Sequence, residues 1–230
     1  VRSGEFGVRP LCVVGAHFDS VAREGGGRGP VVSPGILAPG ADDNASGTSA
    51  ILTLAKAFQK LQPAVLSQAR CDFAFVHFSG EEEGLFGSLA FLKLQIDRPI
   101  EWMVNIDMIA FHPKDANGLV KKLNIGYDKK TGLERAKALA GSGFVDSVLV
   151  ERGAFTYSSD QISFWDAGIE AYSVSEQACA NSDCLESYHA FNPYLHTPED
   201  TSDKLDYEYA ASIINQLYFG LGQLATYKFH

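Results

Sequence analysis

The sequence predicts an α/β fold with three layers, in which a mostly parallel, mixed sheet carries helices on both faces. Short apolar runs alternate along the chain with segments whose apolar residues recur every three or four positions. The apolar runs are nearly continuous, which is typical of strands that are buried on both faces. With 230 residues, of which 46% are hydrophobic, the chain is expected to form a single domain over residues 1–230.

The predicted elements follow one another in a regular order. The expected strands are 11–18, 71–78, 102–111, 147–152 and 169–176, and the expected helices are 46–61, 84–94, 131–141, 158–168 and 206–227. In the first helix, Ile51, Leu54 and Phe58 keep a helical spacing, and the last helix is long and amphipathic. The Gly/Pro-rich stretch 23–40 is expected to be a loop, and loops of this length are often functional.

The negative charge of the chain narrows its possible partners. The formal net charge is −9, whereas a protein that binds nucleic acid needs a basic surface, so we expect no nucleic-acid partner. No apolar run in the sequence approaches the roughly 20 residues that a membrane-spanning helix needs. The acidity either serves solubility or reflects carboxylates gathered around a cation. Nothing in the sequence indicates an oligomeric state.

The four cysteines fall into two pairs. Cys12 and Cys71 lie in apolar, strand-like runs and are interpreted as buried free thiols. Cys179 and Cys184 flank a polar loop, where a disulfide is as plausible as two free thiols. A disulfide there would imply an oxidising compartment. The chain reaches an apolar strand within about ten residues and shows no signal peptide, so we interpret it as a mature, processed or trimmed form.

Histidines and carboxylates follow the predicted strands at the points where those strands end. His17 and Asp19 close the first strand, the run 81–83 of three glutamates follows the second, and Asp107 follows the third. Sites in parallel α/β sheets lie beyond the carboxyl ends of the strands, so these groups are expected to meet. So many carboxylates repel one another unless a cation is bound. Imidazole and carboxylate ligands suit zinc, although cobalt or manganese would also fit.

Five short blocks of the sequence resemble the M28 family of zinc aminopeptidases, and in particular the secreted bacterial leucyl-type enzymes. The blocks, in the order of the family, are GAHFDS, PGADDNASG, GEEEGLFGS, NIDM and YLHTPEDT. A weaker block, SSDQISFWDAGIEAYSVSE, also matches. The resemblance implies a zinc exopeptidase-like fold, in which the N-terminal part of the family domain is short or missing here.

The resemblance also implies a site with two zinc ions. His17 and Asp107 would hold one metal ion, and Glu82 and His196 would hold the other, while Asp42 would bridge both. Because the family often has a cis peptide after the bridging aspartate, we expect one directly after Asp42.

Other site residues take roles from the same resemblance. Glu81 would be the general base, and Asp19 would orient the imidazole that precedes it by two residues. Tyr157 and Asp160 would line the substrate pocket. The third glutamate of the run, Glu83, is expected to point outwards or to support the first turn of the next helix. Independently of the resemblance, Asp43 is interpreted as the residue that caps the first helix.

The implied function is a secreted or extracytoplasmic metallo-aminopeptidase. It would hydrolyse the N-terminal residue from peptides that have a free N-terminus, through a zinc-bridged water and a glutamate general base. Three alternatives stay open on the same fold: a glutaminyl cyclase, a metallocarboxypeptidase or deacylase, and a non-catalytic binding domain. The complete set of ligands argues against the last of these, and the histidine at position 17 argues against the cyclase.

Overall fold

The structure is a computed structural model that describes residues 8–26, 29–31, 36–61, 67–94, 98–111, 122–152, 158–176 and 192–226. Six strands form one sheet, with the bounds β1 Leu11–His17, β2 Asp72–Phe78, β3 Ile100–Ile106, β4 Leu123–Tyr127, β5 Ser147–Glu151 and β6 Ala171–Ser175. The helices are α1 Ala45–Gln59, α2 Phe86–Leu94, α3 Lys129–Ala140, α4 Gln161–Asp166 and α5 Tyr207–Thr226, with a short 3-10 helix at Ser202–Lys204.

The strands are arranged in the spatial order β2-β1-β3-β6-β4-β5. The pairs β1–β2, β1–β3, β3–β6 and β4–β5 are parallel, whereas β4 runs antiparallel to β6. The mostly parallel, mixed sheet that the sequence predicts is therefore confirmed. The prediction missed β4, because Asn124 and Gly126 interrupt the apolar pattern of a strand that is only five residues long.

Helices cover both faces of the sheet. On one face, α1, α3 and α5 bury apolar side chains such as Leu54, Leu139 and Leu217. On the other face, α2 and α4 pack Phe91 and Phe164 against the sheet. The three-layer architecture is thus confirmed, and it leaves the carboxyl edge of the sheet free to carry loops.

Strand β3 ends five residues before the end of the predicted strand. After Asp107, backbone N–H groups turn away from the sheet and donate to side chains just before and at the start of α1. Met108 donates to the Asn44 side chain, and Ile109 donates to the hydroxyl of Ser46. Met108 has a φ of 56°, which breaks the extended backbone. The apolar run continues because these residues are buried, not because they form a strand.

The residue that caps α1 is Asn44, and the assignment of this role to Asp43 is wrong. The Asn44 side-chain oxygen accepts a hydrogen bond of 3.0 Å from the N–H of Gly47, as an N-cap residue does. The Asp43 side chain is consequently available for another role. The peptide bond between Asp43 and Asn44 is cis, one residue later than expected.

Cys12 and Cys71 form a disulfide, so their interpretation as free thiols is wrong. Their Cα atoms lie 5.6 Å apart, and both residues are buried. Cys12 lies in β1, and Cys71 directly precedes β2, so the parallel pairing of these two strands brings the two thiols together. Cys179 and Cys184 lie outside the residues that the structure describes. Among the described helices, none has the length and hydrophobicity needed to span a membrane.

Breaking the disulfide is expected to destabilise the protein, because the bond closes a loop with a sequence separation of 59. The expected loss is about 2–5 kcal/mol in the free energy of unfolding. Urea unfolding of the oxidised and the reduced protein measures the difference. The double variant Cys12→Ala/Cys71→Ala is the control, and any response to reductant that it keeps would come from Cys179 and Cys184. A wild type whose stability is unaffected by reduction would contradict the pairing.

Candidate metal centre

Five acidic and imidazole side chains meet at the carboxyl edge of the sheet. They are His17 at the end of β1, Glu82 in the turn after β2, Asp107 directly after β3, Asp43 before the cap of α1, and His196 in a loop before α5. Because β1, β2 and β3 are parallel neighbours, their carboxyl ends deliver three of these groups to one place.

One half of the cluster is centred on His17. Its Nε2 lies 3.2 Å from Asp43 Oδ1 and 3.3 Å from Asp107 Oδ1. All three side chains are at most 3% exposed. Asp107 is held in place through its own N–H, which donates to the carbonyl of Val174 in the neighbouring strand β6. Two carboxylates therefore face a single imidazole nitrogen in a buried site.

The other half of the cluster is centred on His196. Its Nε2 lies 3.0 Å from Asp43 Oδ2 and 3.0 Å from Glu82 Oε2. The two oxygens of Asp43 therefore face different histidines, and Asp43 is the group that the two halves share. His196 has a φ of 57°, and its carbonyl accepts a hydrogen bond from the N–H of Arg23.

The structure corrects the assignment of the bridging role to Asp42. Asp42 Oδ1 accepts a hydrogen bond of 3.0 Å from the N–H of Ala110, and its Oδ2 accepts one of 2.8 Å from the Asn192 side chain. The Asp42 carboxylate thus ties loops together, while the carboxylate of Asp43 lies between the histidines. Two adjacent aspartates look equivalent in the sequence, and only the direction of the backbone distinguishes them.

Asp19 supports the cluster in a different way from the one expected. The Nδ1–H of His17 donates to the backbone carbonyl of Asp19 at 3.0 Å, whereas the Asp19 carboxylate lies 3.7 Å away. That carboxylate instead accepts the N–H groups of Glu81 and Glu82, each at 3.2 Å. Asp19 therefore shapes the glutamate turn, and its carbonyl fixes the tautomer that leaves Nε2 of His17 available as a ligand.

The three consecutive glutamates have different surroundings. Glu82 faces His196, and Glu83 is exposed. Glu81 lies close to His17, but the two side chains form no ion pair in the part of the chain that the structure describes. Burial and the negative charge of Asp107 raise the pKa of Glu81 to about 9. Glu81 thus combines proximity to the cluster with a strong affinity for a proton. The expected outward direction of Glu83 agrees with its exposure.

Of the two residues that the resemblance places in the substrate pocket, one can be located. Asp160 is fully buried directly before α4, and burial raises its pKa to about 6. Neither of its oxygens accepts a well-formed hydrogen bond from the part of the chain that the structure describes. Tyr157 lies outside the described residues.

The carboxylates of the cluster stabilise positive charge on the two histidines. Burial lowers the pKa of His196, but the neighbouring carboxylates of Asp43 and Glu82 outweigh this and raise the pKa to about 10. Burial likewise opposes protonation of His17, yet the charge of Asp107 raises its pKa far above the ordinary value. The carboxylates therefore favour a proton or a metal ion on each imidazole.

The donor set fits a metal ion. Within the described residues, both oxygens of Asp43 and of Asp107 and one oxygen of Glu82 are buried and accept no hydrogen bond. Three groups of side chains bring one ligand atom each to within 4.8 Å of one another: His17–Asp43–Asp107, Asp43–Glu82–His196 and His17–Glu81–Glu82. Imidazole nitrogen together with carboxylate oxygen suits zinc.

Two residues that organise this site were not predicted from the sequence. The Arg23 side chain donates to the carbonyl of Glu82 at 2.9 Å, so Arg23 links the loops that carry Glu82 and His196. Asp200 accepts hydrogen bonds from the N–H groups of Asp42 and Asp43. The only signals in the sequence were the unusual length of the loop that contains Arg23 and the short distance along the chain from His196 to Asp200.

Comparison with known proteins identifies the family of the chain. The model of peptidase family M28 matches residues 5–218. The chain belongs to peptidase family M28. A protein of Arthroderma otae named leucine aminopeptidase 1 is 31% identical over 209 residues, which cover 86% of this chain and 50% of that protein. The chain spans about half the length of the curated relatives that it matches.

Two solved structures share the fold. The zinc aminopeptidase BSAP of Bacillus subtilis superposes with a TM-score of 0.71 at 22% identity, covering 94% of this chain and 46% of that one. The glutaminyl cyclase of Porphyromonas gingivalis superposes with a TM-score of 0.68 at 15% identity, covering 96% of this chain and 75% of that one. At these identities the two structures support the fold and leave the reaction open.

Replacing the shared carboxylate tests the arrangement. Asp43→Asn is expected to abolish binding of zinc to both halves of the cluster, because each histidine faces one oxygen of this residue. Asp42→Asn is the matched control, with the same chemical change one residue earlier. It should still bind zinc, with at most a reduced affinity, because the Asp42 carboxylate faces neither histidine and only ties the neighbouring loops together. Elemental analysis measures the zinc content of the two purified variants. An Asp43→Asn protein that keeps its full zinc content would contradict the sharing of the Asp43 carboxylate by the two histidines.

Proposed function

We propose that this M28 chain is a metallo-aminopeptidase with two zinc ions. The observation that carries the proposal is the carboxylate of Asp43, whose two oxygens face two histidines in separate groups of ligands. His17 and Asp107 would complete one zinc site, and Glu82 and His196 would complete the other. The family membership and the names of the relatives support a peptidase that acts on peptide N-termini.

The metal ions would supply Lewis acidity, which polarises a carbonyl group and lowers the pKa of a water molecule. The chain supplies the proton transfers. Glu81 is placed beside the cluster and outside the two groups that share Asp43. We assign it the role of taking a proton from the attacking water and delivering this proton to the leaving amine.

The environment of Glu81 suits both steps of this proton transfer, the uptake of the proton and its delivery. Burial and the charge of Asp107 raise its pKa to about 9, which favours the protonated form that must deliver a proton to the amine. Positive charge close by lowers the pKa of a carboxyl group, so cations in the cluster favour the carboxylate that first accepts the proton. Burial raises the pKa of Glu81 and nearby cations lower it, so the two effects together keep this pKa near neutral pH. A pKa near the working pH is what efficient acid–base catalysis requires.

The substrate end of the site is acidic. Asp160 is a buried carboxylate whose oxygens accept no well-formed hydrogen bond from described residues, and a protonated N-terminal amine is a suitable partner for such a group. We therefore propose that Asp160, together with Tyr157, contributes to binding of the substrate N-terminus. A free N-terminal amine would then be required, which makes the enzyme an exopeptidase. Leucine, which names the relatives, is the first N-terminal residue to test.

We also propose that the protein works outside the cytoplasm. The disulfide between Cys12 and Cys71 supports this location, because structural disulfides persist in oxidising compartments and are rare in the cytosol. The buried position of both cysteines fits a structural bond rather than an exchangeable one.

The glutamate run offers a matched pair of substitutions for the role of Glu81. Glu81→Gln is expected to keep its zinc and to lose about 10²–10⁴ in kcat, the usual contribution of a general base. Glu83→Gln changes an exposed side chain two residues away and should leave kcat and zinc content unchanged. Zinc analysis and steady-state kinetics of both variants decide the matter. If Glu81→Gln keeps full kcat, another group moves the proton.

Blocking the substrate amine tests the class of reaction. Acetylation of the N-terminus of a peptide is expected to abolish cleavage, because the acidic pocket would lose its cationic partner. Release of the N-terminal residue from free and acetylated forms of the same peptide is measured by chromatography. Cleavage of both forms at equal rates would point to a deacylase or an endopeptidase. Conversion of an N-terminal glutamine to a cyclic product, without peptide cleavage, would point to a glutaminyl cyclase.

A further inference from the structure

The loop that carries His196 is fastened to the Asp42–Asp43 segment by the carboxylate of Asp200. Asp200 Oδ1 accepts the N–H of Asp42 at 3.0 Å, and its Oδ2 accepts the N–H of Asp43 at 3.0 Å. Each oxygen of the side chain therefore accepts a hydrogen bond from one of two consecutive peptide groups. Asp200 is only 2% exposed, so water does not compete effectively for these two hydrogen bonds.

Two more hydrogen bonds join the same pieces of chain. The N–H of Ala41 donates to the carbonyl of Asp200 at 3.1 Å, and the side chain of Asn192 donates to Asp42 Oδ2 at 2.8 Å. The loop is thus attached on both sides of His196, at Asn192 and at Asp200. These attachments hold the loop of His196 beside the Asp42–Asp43 segment.

We infer that Asp200 is a positioning residue of the metal centre, which sets the shared carboxylate of Asp43 against His196. This inference rests on the proposed function, because it concerns the ligands of the proposed zinc ions. Asp200 touches neither substrate nor reacting atoms in this assignment, and it acts only through the backbone of Asp43. Because Asp43 is common to both groups of ligands, a displaced Asp43 weakens both zinc sites together.

The chemistry of the contact explains why a carboxylate is needed. Two neighbouring N–H groups require two acceptor oxygens on one side chain, and a carboxylate provides both without a hydrogen atom of its own. An asparagine at position 200 would present an NH₂ group to one of the two N–H donors. That donor would lose its partner inside the protein, and the backbone at Asp42 or Asp43 would shift.

The substitution Asp200→Asn, compared with Asp203→Asn, tests this role. Asp203 lies three residues further along, is 68% exposed, and pairs with Lys204 rather than with the metal centre. Both changes remove one negative charge from the same stretch of chain. Zinc affinity is measured by competition with a chromophoric chelator, and the visible absorption of the cobalt-substituted protein reports the geometry of the ligands.

Asp200→Asn is expected to lower zinc affinity by about 10–100-fold, the usual effect of removing a partner of a metal ligand. It should also change the cobalt spectrum, whereas Asp203→Asn should match the wild type in both measurements. Asp200→Glu keeps the charge with a longer side chain and should bind zinc with intermediate affinity. This variant provides the same comparison if Asp200→Asn does not fold.

Two results would overturn the inference, and they are distinguishable. If the wild type binds two zinc ions and the Asp200 variants match it in affinity and cobalt spectrum, Asp200 has no positioning role while the proposed function stands. If the wild type binds no zinc at all, the proposed metal centre fails, and the positioning role fails with it.

Discussion

The accumulation of buried negative charge at one edge of the sheet is the constraint on which the rest of the structure depends. Asp43 and Asp107 are buried within hydrogen-bonding distance of a single imidazole nitrogen. Carboxylates in such a place must be paired with cations or give up their charge. The parallel strands deliver these groups to the same edge, and the surrounding loops are tied together by backbone N–H donors. The fold therefore gathers negative charge at one edge of the sheet, and the loops place this charge beside the two neighbouring histidines.

Much of this arrangement could be predicted from the sequence, because the signals are local. Apolar runs predicted five of the six strands, and the residues that follow each run predicted which side chains would meet. The helical spacing of Ile51, Leu54 and Phe58 predicted α1 to within a few residues at each end. Parallel topology then makes the end of a strand a reliable indicator of a site.

The errors arose where the answer depends on the direction of a single peptide group or on contacts far apart in the chain. Asp42 and Asp43 differ only in which way their side chains leave the backbone, and the sequence carries no signal for that. The disulfide joins cysteines separated by 59 positions and depends on the pairing of β1 with β2. The anchoring by Asp200 involves residues more than 150 positions away. Hydrophobic periodicity reports burial and does not report which distant partner a polar group will find.

The cap of α1 has an electrostatic consequence for the acidic cluster. Because Asn44 caps the helix, α1 begins at Ala45, two residues after Asp43. The aligned peptide dipoles of a helix place about half a positive elementary charge at its N-terminus. This charge belongs to the backbone, so it is independent of pH and of bound ions. It gives the nearby Asp43 carboxylate a permanent electrostatic background.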